Sequence, residues 1–255
     1  MCLLVVASRV IPGTPLLIGA NRDEFTDRPS TSFTVLAPSG PRILGGRDER
    51  VGGTWLAVNE HGVFAGLTNQ PLPDGKDLSR RSRGELPLAL AAHADADGAA
   101  EDFVGRFKPS DYNGCWLLVG DRNSLYSIDF TGSVDVDAVP LGPGVHVLEN
   151  RPLGALSSKA DRVVHALAPL DQDADVVVTA LEGVLRDHHI CETIETEQGP
   201  RPISCCVHLE GYGTRSSCLV RHDAGAAEPP RMWVADGPPC TTAFVEVSEC
   251  WEQPR

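Results

Sequence analysis

The first 25 residues decide the fold, and they read MCLLVVASRVIPGTPLLIGANRDEF. Cys2 to Ile11 is almost continuously apolar and rich in Val and Leu, and Pro15 to Asn21 is apolar again. Pro12-Gly13, between the two runs, is a turn signal. Two such runs joined by a turn predict a hairpin buried on both faces, since a strand with one exposed face alternates apolar and polar residues.

Turn signals divide the rest of the chain into alternating groups of strands and helices. Strands are predicted at Thr54–Asn59, Val63–Asn69, Gly114–Gly120, Ser124–Phe130, Val134–Val139, Val145–Leu148, Ile203–Leu209, Ser216–His222, Met232–Ala235 and Ala243–Val247. Helices are predicted at Gly84–His93, at Gly98–Phe107, from Ser157 or Ser158 to Ala168, and at Ala174–Arg186.

This order predicts an α+β fold, a four-layer αββα sandwich in which helix pairs cover two mainly antiparallel sheets. We found no internal repeat and no long linker, so a single domain over residues 1–255 is expected. The Pro71–Ser82 segment is rich in Pro, Gly and Asp and is predicted to be a surface loop that could act as a lid.

The amino-acid composition excludes two classes of binding partner. The chain of 255 residues has a net charge of −13, so nucleic acid and anionic membrane surfaces are not expected partners. No apolar run approaches the roughly 20 residues that span a bilayer. The amino terminus has no basic leader and no small-residue cleavage site, so we expect a cytoplasmic protein. The eight cysteines are accordingly expected to be free thiols.

Cys2 is a candidate nucleophile because it directly follows Met1. Removal of Met1 would place a thiol and a free α-amine on one residue. The ordinary pKa of an α-amine is about 7.7–8.0 and that of a thiol about 8.5, so the amine can take the thiol's proton near neutral pH. A cysteine that occupies position 2 by chance is the alternative.

The hairpin suggests a partner for that amine. If Pro12-Gly13 centres the turn, Cys2 lies opposite Asp23, whose carboxylate could orient the ammonium. Asn21 and Asp23 would share one face, with Arg22 and Glu24 on the other. A register shift of one residue would break the opposition of Cys2 and Asp23. A solvated strand end with local ion pairs is the alternative for these four residues.

The sequence resembles the NRDE family, which is named after the motif found here as Asn21-Arg22-Asp23-Glu24. Further blocks match that family: Gly52-Gly53-Thr54-Trp55-Leu56, Ala65-Gly66-Leu67-Thr68-Asn69, Ser82-Arg83-Gly84-Glu85-Leu86, Tyr112-Asn113-Gly114 and Tyr212-Gly213-Thr214-Arg215-Ser216-Ser217. The resemblance runs from Met1 to about Asp223.

The family in turn resembles, more distantly, the cysteine amino-terminal-nucleophile (Ntn) hydrolases, which include bile salt hydrolases and penicillin V acylases. This likeness implies Cys2 as nucleophile, Asp23 as partner of the α-amine, Asn69 and Asn150 as oxyanion donors, and Arg215 as a supporting cation. Asn21, Arg22 and Trp55, which lie in the matched blocks, are expected to contact a small acylated substrate. The implied chemistry is cleavage or transfer of an amide or thioester through an acyl-Cys2 intermediate, with no cofactor.

The sequence departs from the family near Asn150. The family usually has Leu-Ser-Asn followed by a Pro-Trp-Pro-Lys segment, whereas this chain has Leu148-Glu149-Asn150 and Leu156-Ser157-Ser158-Lys159. We expect this change to alter the pocket wall and the entry to the following helix.

Two rival functions compete with acyl transfer. His188, His189, Cys191, Cys205, Cys206 and His208 form a metal-like cluster in sequence, but their spacing matches no standard zinc pattern. Cys205 and Cys206 would also face opposite ways on one strand, so no metal is expected. A carrier of haem or acyl-CoA is the alternative to an enzyme, since family members have been connected with both. His61, His146 or a cysteine could then ligate haem iron.

Overall fold

The structure is a computed structural model that describes residues 2–38, 40–72, 75–132, 136–168, 170, 173–196, 199–225 and 229–252. The strands in this part of the chain are β1 (Leu3–Ile11), β2 (Thr14–Phe25), β3 (Ser30–Ala37), β4 (Ile43–Asp48), β5 (Leu56–Asn59), β6 (Phe64–Asn69), β7 (Cys115–Gly120), β8 (Leu125–Phe130), β9 (Ala138–Pro140), β10 (Gly144–Leu148), β11 (Glu192–Thr196), β12 (Gly199–Ile203), β13 (His208–Leu209), β14 (Tyr212–His222), β15 (Arg231–Ala235) and β16 (Val245–Glu246). The α-helices there are α1 (Glu85–Leu90), α2 (Ala96–Arg106), α3 (Ser158–Leu167) and α4 (Ala174–Leu185).

The strands form two antiparallel sheets and one separate hairpin. The first sheet has the order β10-β1-β2-β14-β15-β16, with β13 also paired to β14. The second runs β3-β4-β5-β6-β7-β8-β9 in chain order, and β11 pairs only with β12 among the described strands. The amino-terminal hairpin β1–β2 therefore lies inside the first sheet, with a strand on each side.

Three apolar cores separate four layers. Leu4, Val6, Ile18, Phe64 and Leu118 belong to the core between the sheets. A second core joins α1 and α2 to the outer face of the second sheet, and a third joins α3 and α4 to the outer face of the first. The predicted αββα sandwich is confirmed. Both faces of β1 are buried along most of the strand, as its almost continuously apolar sequence predicts.

The hairpin register differs from the prediction by one residue. Ile11 pairs with Thr14 at the turn, but Leu3 pairs with Asn21, because a bulge lies between Ser8 and Ile11. Arg9 within that bulge has a positive φ of 56°. Continued by one residue, the observed register places Cys2 level with Arg22 rather than with Asp23. The predicted opposition of Cys2 and Asp23 was therefore wrong.

Four strands of the structure were not predicted from the sequence. These are β3, β4, β11 and β12, of which β12 shares only Ile203 with a predicted strand; β3 and β4 carry polar residues and glycines that weaken the strand pattern. Gly46 in β4 is required by packing, since a Cβ there would lie 1.9 Å from the Trp55 ring. The predicted strand Ile203–Leu209 is interrupted, because β12 ends at Ile203 and β13 begins at His208.

Other predicted elements agree with the structure to within a few residues. The prediction Val134–Val139 falls partly outside the described residues, and only β9 is seen beside it. Among the described residues, no helix is long and apolar enough to cross a bilayer.

Candidate active site

Cys2 lies directly before β1, at the end of the central hairpin. Its thiol donates a weak hydrogen bond to the backbone carbonyl of Asp23, with Sγ and O 3.9 Å apart. Burial raises the pKa of the Cys2 thiol above its ordinary value, and the positive charge of the chain's amino terminus opposes that rise. The thiol is therefore protonated near neutral pH and needs a base before it can attack.

Asp23 is buried near the end of β2 and is held by side chains of β14. The Thr214 hydroxyl donates to Asp23 Oδ1 at 2.6 Å, and the Tyr212 hydroxyl donates to the Asp23 carbonyl at 3.2 Å. Burial raises the pKa of the Asp23 carboxyl, while the amino-terminal charge and the Thr214 hydrogen bond act to lower it. The positive charges of Lys159 and Arg201 also favour the ionised carboxylate.

The β2–β14 pairing explains why the Asn21–Glu24 motif and the Tyr212–Ser217 block occur together. Thr214 pairs with Asp23, and Ser217 pairs with Asn21. The Ser217 hydroxyl donates to Asn21 Oδ1 at 2.7 Å, and Asn21 Nδ2 donates to the carbonyls of Leu185 and Cys205, each at 2.9 Å. Asn21, predicted to bind substrate, is thus a buried cross-link between the sheet and the end of α4, and it does not line the cavity described next.

A cavity of about 260 Å³ opens where the ends of the two sheets meet beside Cys2. It is lined by residues from β2, β6, the loops around them and the start of α1: Cys2, Arg22, Asp23, Glu24, Phe25, Arg28, Asp48, Val51, Gly53, Thr54, Trp55, Leu67, Asn69, Lys76, Ser82, Arg83 and Gly84. Among these described lining residues Cys2 is the one thiol, and no histidine is present. His61 and His146, the candidate haem ligands, therefore lie elsewhere.

Arg22 and Trp55 meet across the cavity from the two different sheets. The Arg22 guanidinium lies 4.5 Å from the centre of the Trp55 ring, in a cation–π contact. Arg22 Nη2 is 3.8 Å from a carboxylate oxygen of Glu24 and 3.8 Å from one of Asp48. Burial lowers the pKa of the Arg22 guanidinium, while the charges of the Cys2 thiolate and of Glu24 act to raise it. Two of the three predicted substrate contacts, Arg22 and Trp55, line the cavity.

Two glycines bring the Gly52–Leu56 and Ser82–Leu86 blocks into direct contact. A Cβ on Gly53 would lie 2.6 Å from the Cα of Gly84, so neither position tolerates a side chain without movement of the backbone. The Thr54 amide donates to the Gly84 carbonyl at 2.9 Å. This contact places Arg83 at the cavity, where burial lowers the pKa of its guanidinium.

Two cations at the cavity form no salt bridge with any residue that the structure describes. Within the described part of the chain, neither Lys76 nor Arg83 forms an ion pair, whereas Arg22 and Arg28 face Glu24 and Asp48. The Arg83 guanidinium donates to the Gly114 carbonyl at 2.8 Å. Burial lowers the pKa of Lys76, and the nearby Arg83 charge adds to that effect.

The loop that supplies Lys76 is anchored. Asn113 donates to the Asp77 carbonyl at 2.8 Å and accepts from the Asp77 amide at 2.9 Å. Arg80 donates to the Tyr112 carbonyl at 2.5 Å. The described part of the predicted surface loop Pro71–Ser82 is thus held on the β7 side of the cavity by the Tyr112-Asn113-Gly114 block.

Asn69 and Asn150 are adjacent, but only Asn69 lines the cavity. Asn150 Nδ2 donates to the Asn69 backbone carbonyl at 2.5 Å, and the Thr68 hydroxyl donates to the Glu149 carbonyl at 2.7 Å. These two hydrogen bonds join the end of β10 in the first sheet to the end of β6 in the second. Asn150 therefore holds the backbone of Asn69 in place from outside the cavity.

Arg215 does not line the cavity. It is the extra residue of a bulge in β14, between Thr214 and Ser216. Its Nε is buried and has no hydrogen-bond partner among the described residues. The arginine charge that lowers the pKa of Asp23 is that of Arg201, and not that of Arg215.

Glu149, a departure from the family, forms an ion pair behind the site with Lys159, which matches the lysine of the family segment. Lys159 Nζ lies 2.9 Å from Glu149 Oε2, and both side chains are almost completely buried. Burial alone would raise the pKa of Glu149, but the Lys159 charge and the Ser157 hydroxyl lower it below its ordinary value. Ser157 also caps α3 by accepting from the Ala160 amide. None of these residues lines the cavity; Ser157 and Lys159 lie at the entry to α3, and the effect of the change on the cavity wall stays a prediction.

Several cavity residues were not singled out from the sequence. Arg28, Asp48, Lys76 and Arg83 come from segments far apart in the chain, and only contact between the two sheets brings them together. Arg83 belongs to the family block Ser82-Arg83-Gly84-Glu85-Leu86, but that block predicted only the start of a helix and no role at the cavity.

Comparison with solved structures agrees with the fold. The chain is similar to a variant of conjugated bile acid hydrolase from Clostridium perfringens, with a TM-score of 0.56 and 11% identity over 98% of this chain and 92% of that one. It is similar to the Caenorhabditis elegans N-acylethanolamine-hydrolyzing acid amidase ortholog, with a TM-score of 0.58 and 12% identity over 86% of this chain and 92% of that one. The architecture is therefore that of the Ntn hydrolases.

Sequence comparison gives the family. Residues 1–226 match the family described as Transport and Golgi organisation 2, and this chain belongs to it. The Transport and Golgi organization protein 2 homolog of Homo sapiens is 29% identical over 230 residues, which cover 82% of each chain.

Proposed function

We propose that this protein is an Ntn-type cysteine acyl hydrolase or acyltransferase, which cleaves an amide or thioester of a small acylated metabolite through an acyl-Cys2 intermediate. The observation that carries the proposal is the contact between Cys2 and Asp23 at the cavity, where the Cys2 thiol lies 3.9 Å from the Asp23 carbonyl. The named activities of the two structural neighbours, bile acid hydrolase and acid amidase, are of the same reaction type.

The reaction requires Cys2 to be the first residue of the mature chain. The α-amine then accepts the thiol proton, and Asp23 holds the resulting ammonium. The thiolate attacks the substrate carbonyl carbon, and the Asn69 amide donates to the developing oxyanion. The C–N or C–S bond breaks as the ammonium returns its proton to the leaving group. Water completes hydrolysis of acyl-Cys2, or an acceptor amine completes transfer.

The hairpin register gives the two groups of Cys2 different surroundings under this proposal. Cys2 is level with Arg22, whose side chain faces the cavity, so the thiol is directed toward substrate. Asp23 also lines the cavity beside Cys2, and Thr214 of β14 holds its carboxylate. The carboxylate is therefore fixed in position next to Cys2, where the amine can reach it.

We further propose that the substrate carries an anionic group. Lys76 and Arg83 lie at the cavity and form no salt bridge among the described residues, although the Glu24 charge acts on both and the Asp48 charge on Lys76. A carboxylate or phosphate on the substrate would supply a direct counter-charge to these two cations. The volume of about 260 Å³ lies below the roughly 300–1,000 Å³ typical of sites for drug-sized ligands, which suits a small acyl group.

A carrier of acyl-CoA is the second candidate, and the same two cations favour it, because phosphate groups bind to such residues. The haem form of the carrier proposal has less support, since none of the described lining residues is a histidine. The eight free cysteines are consistent with a reducing compartment, so the proposed location is cytoplasmic.

The test is to compare wild type, Cys2→Ala and Cys191→Ala with short-chain acyl thioesters and acyl amides that carry a terminal carboxylate. Cys191 is a partly exposed thiol outside the cavity and serves as the matched control. The proposal predicts turnover by wild type and Cys191→Ala and none by Cys2→Ala, with all three folded by circular dichroism. Absence of turnover, together with ligand binding that Cys2→Ala retains, would favour the carrier.

A further inference from the structure

Four metal-binding side chains meet at one place on the surface, outside the cavity. The potential ligand atoms of His188, Cys206, His208 and Cys240 all lie within 4.8 Å of one another. They come from three segments: the turn after α4, the stretch from the end of β12 to the start of β13, whose first residue is His208, and the turn after β15. We propose that these four residues bind one Zn²⁺ ion in a closed tetrahedral Cys₂His₂ site.

The distances fit that geometry. Zn–S bonds of about 2.3 Å at the tetrahedral angle place two sulfur atoms roughly 3.8 Å apart. The Sγ atoms of Cys206 and Cys240 are 3.8 Å apart. The nitrogen and sulfur ligands of a tetrahedral zinc ion are expected to lie roughly 3.6 Å apart. His208 Nε2 lies 3.8 Å from Cys206 Sγ and 3.1 Å from Cys240 Sγ, so one distance is longer and the other shorter than that value.

A disulfide does not account for this arrangement, since bonded sulfur atoms are about 2.05 Å apart. Both cysteines are free. Two thiolates would balance the charge of Zn²⁺, and two neutral imidazoles would complete four-fold coordination. A site that fills all four positions with protein ligands is typical of structural zinc.

The surrounding backbone already holds the ligands in place. His188 Nδ1 lies 3.1 Å from the Cys206 carbonyl, and a hydrogen bond there leaves Nε2 as the metal-facing nitrogen. The Cys206 amide donates to the Asp187 carbonyl at 2.9 Å. The amides of Thr241 and Thr242 donate to the Pro238 carbonyl and form the turn that carries Cys240. These contacts involve no metal, and they hold the segments that carry the four ligand side chains close together.

The site would also stabilise the active-site scaffold. Cys206 and His208 flank Val207, whose amide donates to the Thr214 hydroxyl at 2.9 Å. That same hydroxyl donates to Asp23. An ion bound to residues on both sides of Val207 would therefore fix the position of Thr214.

The sequence alone could not identify this set. The cluster seen in sequence grouped His188, Cys206 and His208 with His189, Cys191 and Cys205, and it omitted Cys240. Cys205 packs in the core beneath α3 and α4, and the Cys191 thiol donates to the His189 carbonyl at 3.6 Å. The fourth ligand lies 32 residues after His208 and was found only from the fold.

The experiment uses reduced, metal-stripped protein with Cys2→Ala as the background, titrated with Co²⁺ and then with Zn²⁺. The proposal predicts one ion per chain, the visible absorption of tetrahedral Co²⁺, a thiolate charge-transfer band, and loss of both signals when Zn²⁺ displaces Co²⁺. Cys240→Ser and His208→Ala should each weaken Zn²⁺ affinity by at least about 100-fold, the upper end of the cost of losing an outer-shell partner. Cys191→Ser should bind as the background does.

Cys240 is on a turn and His208 is exposed, so both variants are expected to fold. The absence of tetrahedral Co²⁺ in the background protein would overturn the proposal. An equal loss of the signal in Cys191→Ser and Cys240→Ser would do the same. Because the readout requires no substrate and no Cys2, its failure is distinguishable from failure of the proposed enzyme activity.

Discussion

Thr214 donates its hydroxyl to Asp23 across the β2–β14 pair, with 2.6 Å between the oxygen atoms. This hydrogen bond connects the two most specific sequence blocks of the family. It also lowers the pKa of a carboxyl that burial raises. The Asp23 carboxylate is the group that we propose orients the amine of Cys2.

Thr214→Val should lower kcat/KM by roughly 10- to 100-fold, because a buried carboxylate loses a hydrogen bond worth about 1–3 kcal/mol. The pKa of Asp23 should rise further, so activity should be lost at a higher pH as the solution is acidified. Steady-state kinetics across pH measures both effects. Thr214→Ser keeps the hydroxyl and should resemble wild type; an unchanged pH profile in Thr214→Val would contradict the role of this contact.

Glu149→Gln should destabilise the protein by about 3–5 kcal/mol at neutral pH, because it leaves the buried Lys159 charge without its partner. Urea unfolding measures the change. The partly exposed pair of Glu182 and Arg186 gives the control, where Glu182→Gln should cost at most about 1 kcal/mol. Equal effects of the two substitutions would show that burial does not govern these pairs.

The same pair predicts the direction of a pH dependence. The folded-state pKa of Glu149 is below its ordinary value, so its contribution to stability is present above that ordinary value. The contribution is lost as the pH falls through the lowered folded-state pKa. The stability difference between wild type and Glu149→Gln should therefore shrink on acidification, and a difference that grows would reverse the assigned sign.

Lys76→Met and Arg83→Met should each raise the KM for a substrate with a terminal carboxylate by roughly tenfold, or about 1.4 kcal/mol. The KM for an uncharged analogue should change little, since only the counter-charge is removed. Arg106→Met is the control, because Arg106 lies on α2 and pairs with Asp102 away from the cavity. Equal losses with charged and uncharged substrates would argue against an anionic group at this position.

The sequence predicted the layers of this fold because its strongest signals are local. The apolar β1 and β2 runs and the caps of the later helices depend on neighbouring residues only. The register could not be predicted, since the bulge at Arg9 has no signature that distinguishes it from an ordinary hairpin strand. That single bulge changes which residue lies beside Cys2.

The candidate site was predictable to a similar extent. Cys2, Asp23 and Asn69 are brought together, and Arg22 and Trp55 join them at the cavity. Asn21 was expected at the substrate and Arg215 as a supporting cation of the catalytic group, but Asn21 is a buried cross-link and Arg215 lies in a strand bulge. Lys76, Arg83 and the Cys206–Cys240 contact depend on segments distant in sequence, so they required the structure.

The central claim is that Cys2 becomes an amino-terminal nucleophile, and intact mass spectrometry tests it most directly. The purified protein is weighed before and after a brief exposure to a small thiol-directed acylating probe, and peptide mapping locates the label. The account predicts that Met1 is absent and that one acyl group is attached to Cys2 before any of the other seven cysteines reacts. Retention of Met1, or labelling of Cys2 no faster than the others, would contradict it.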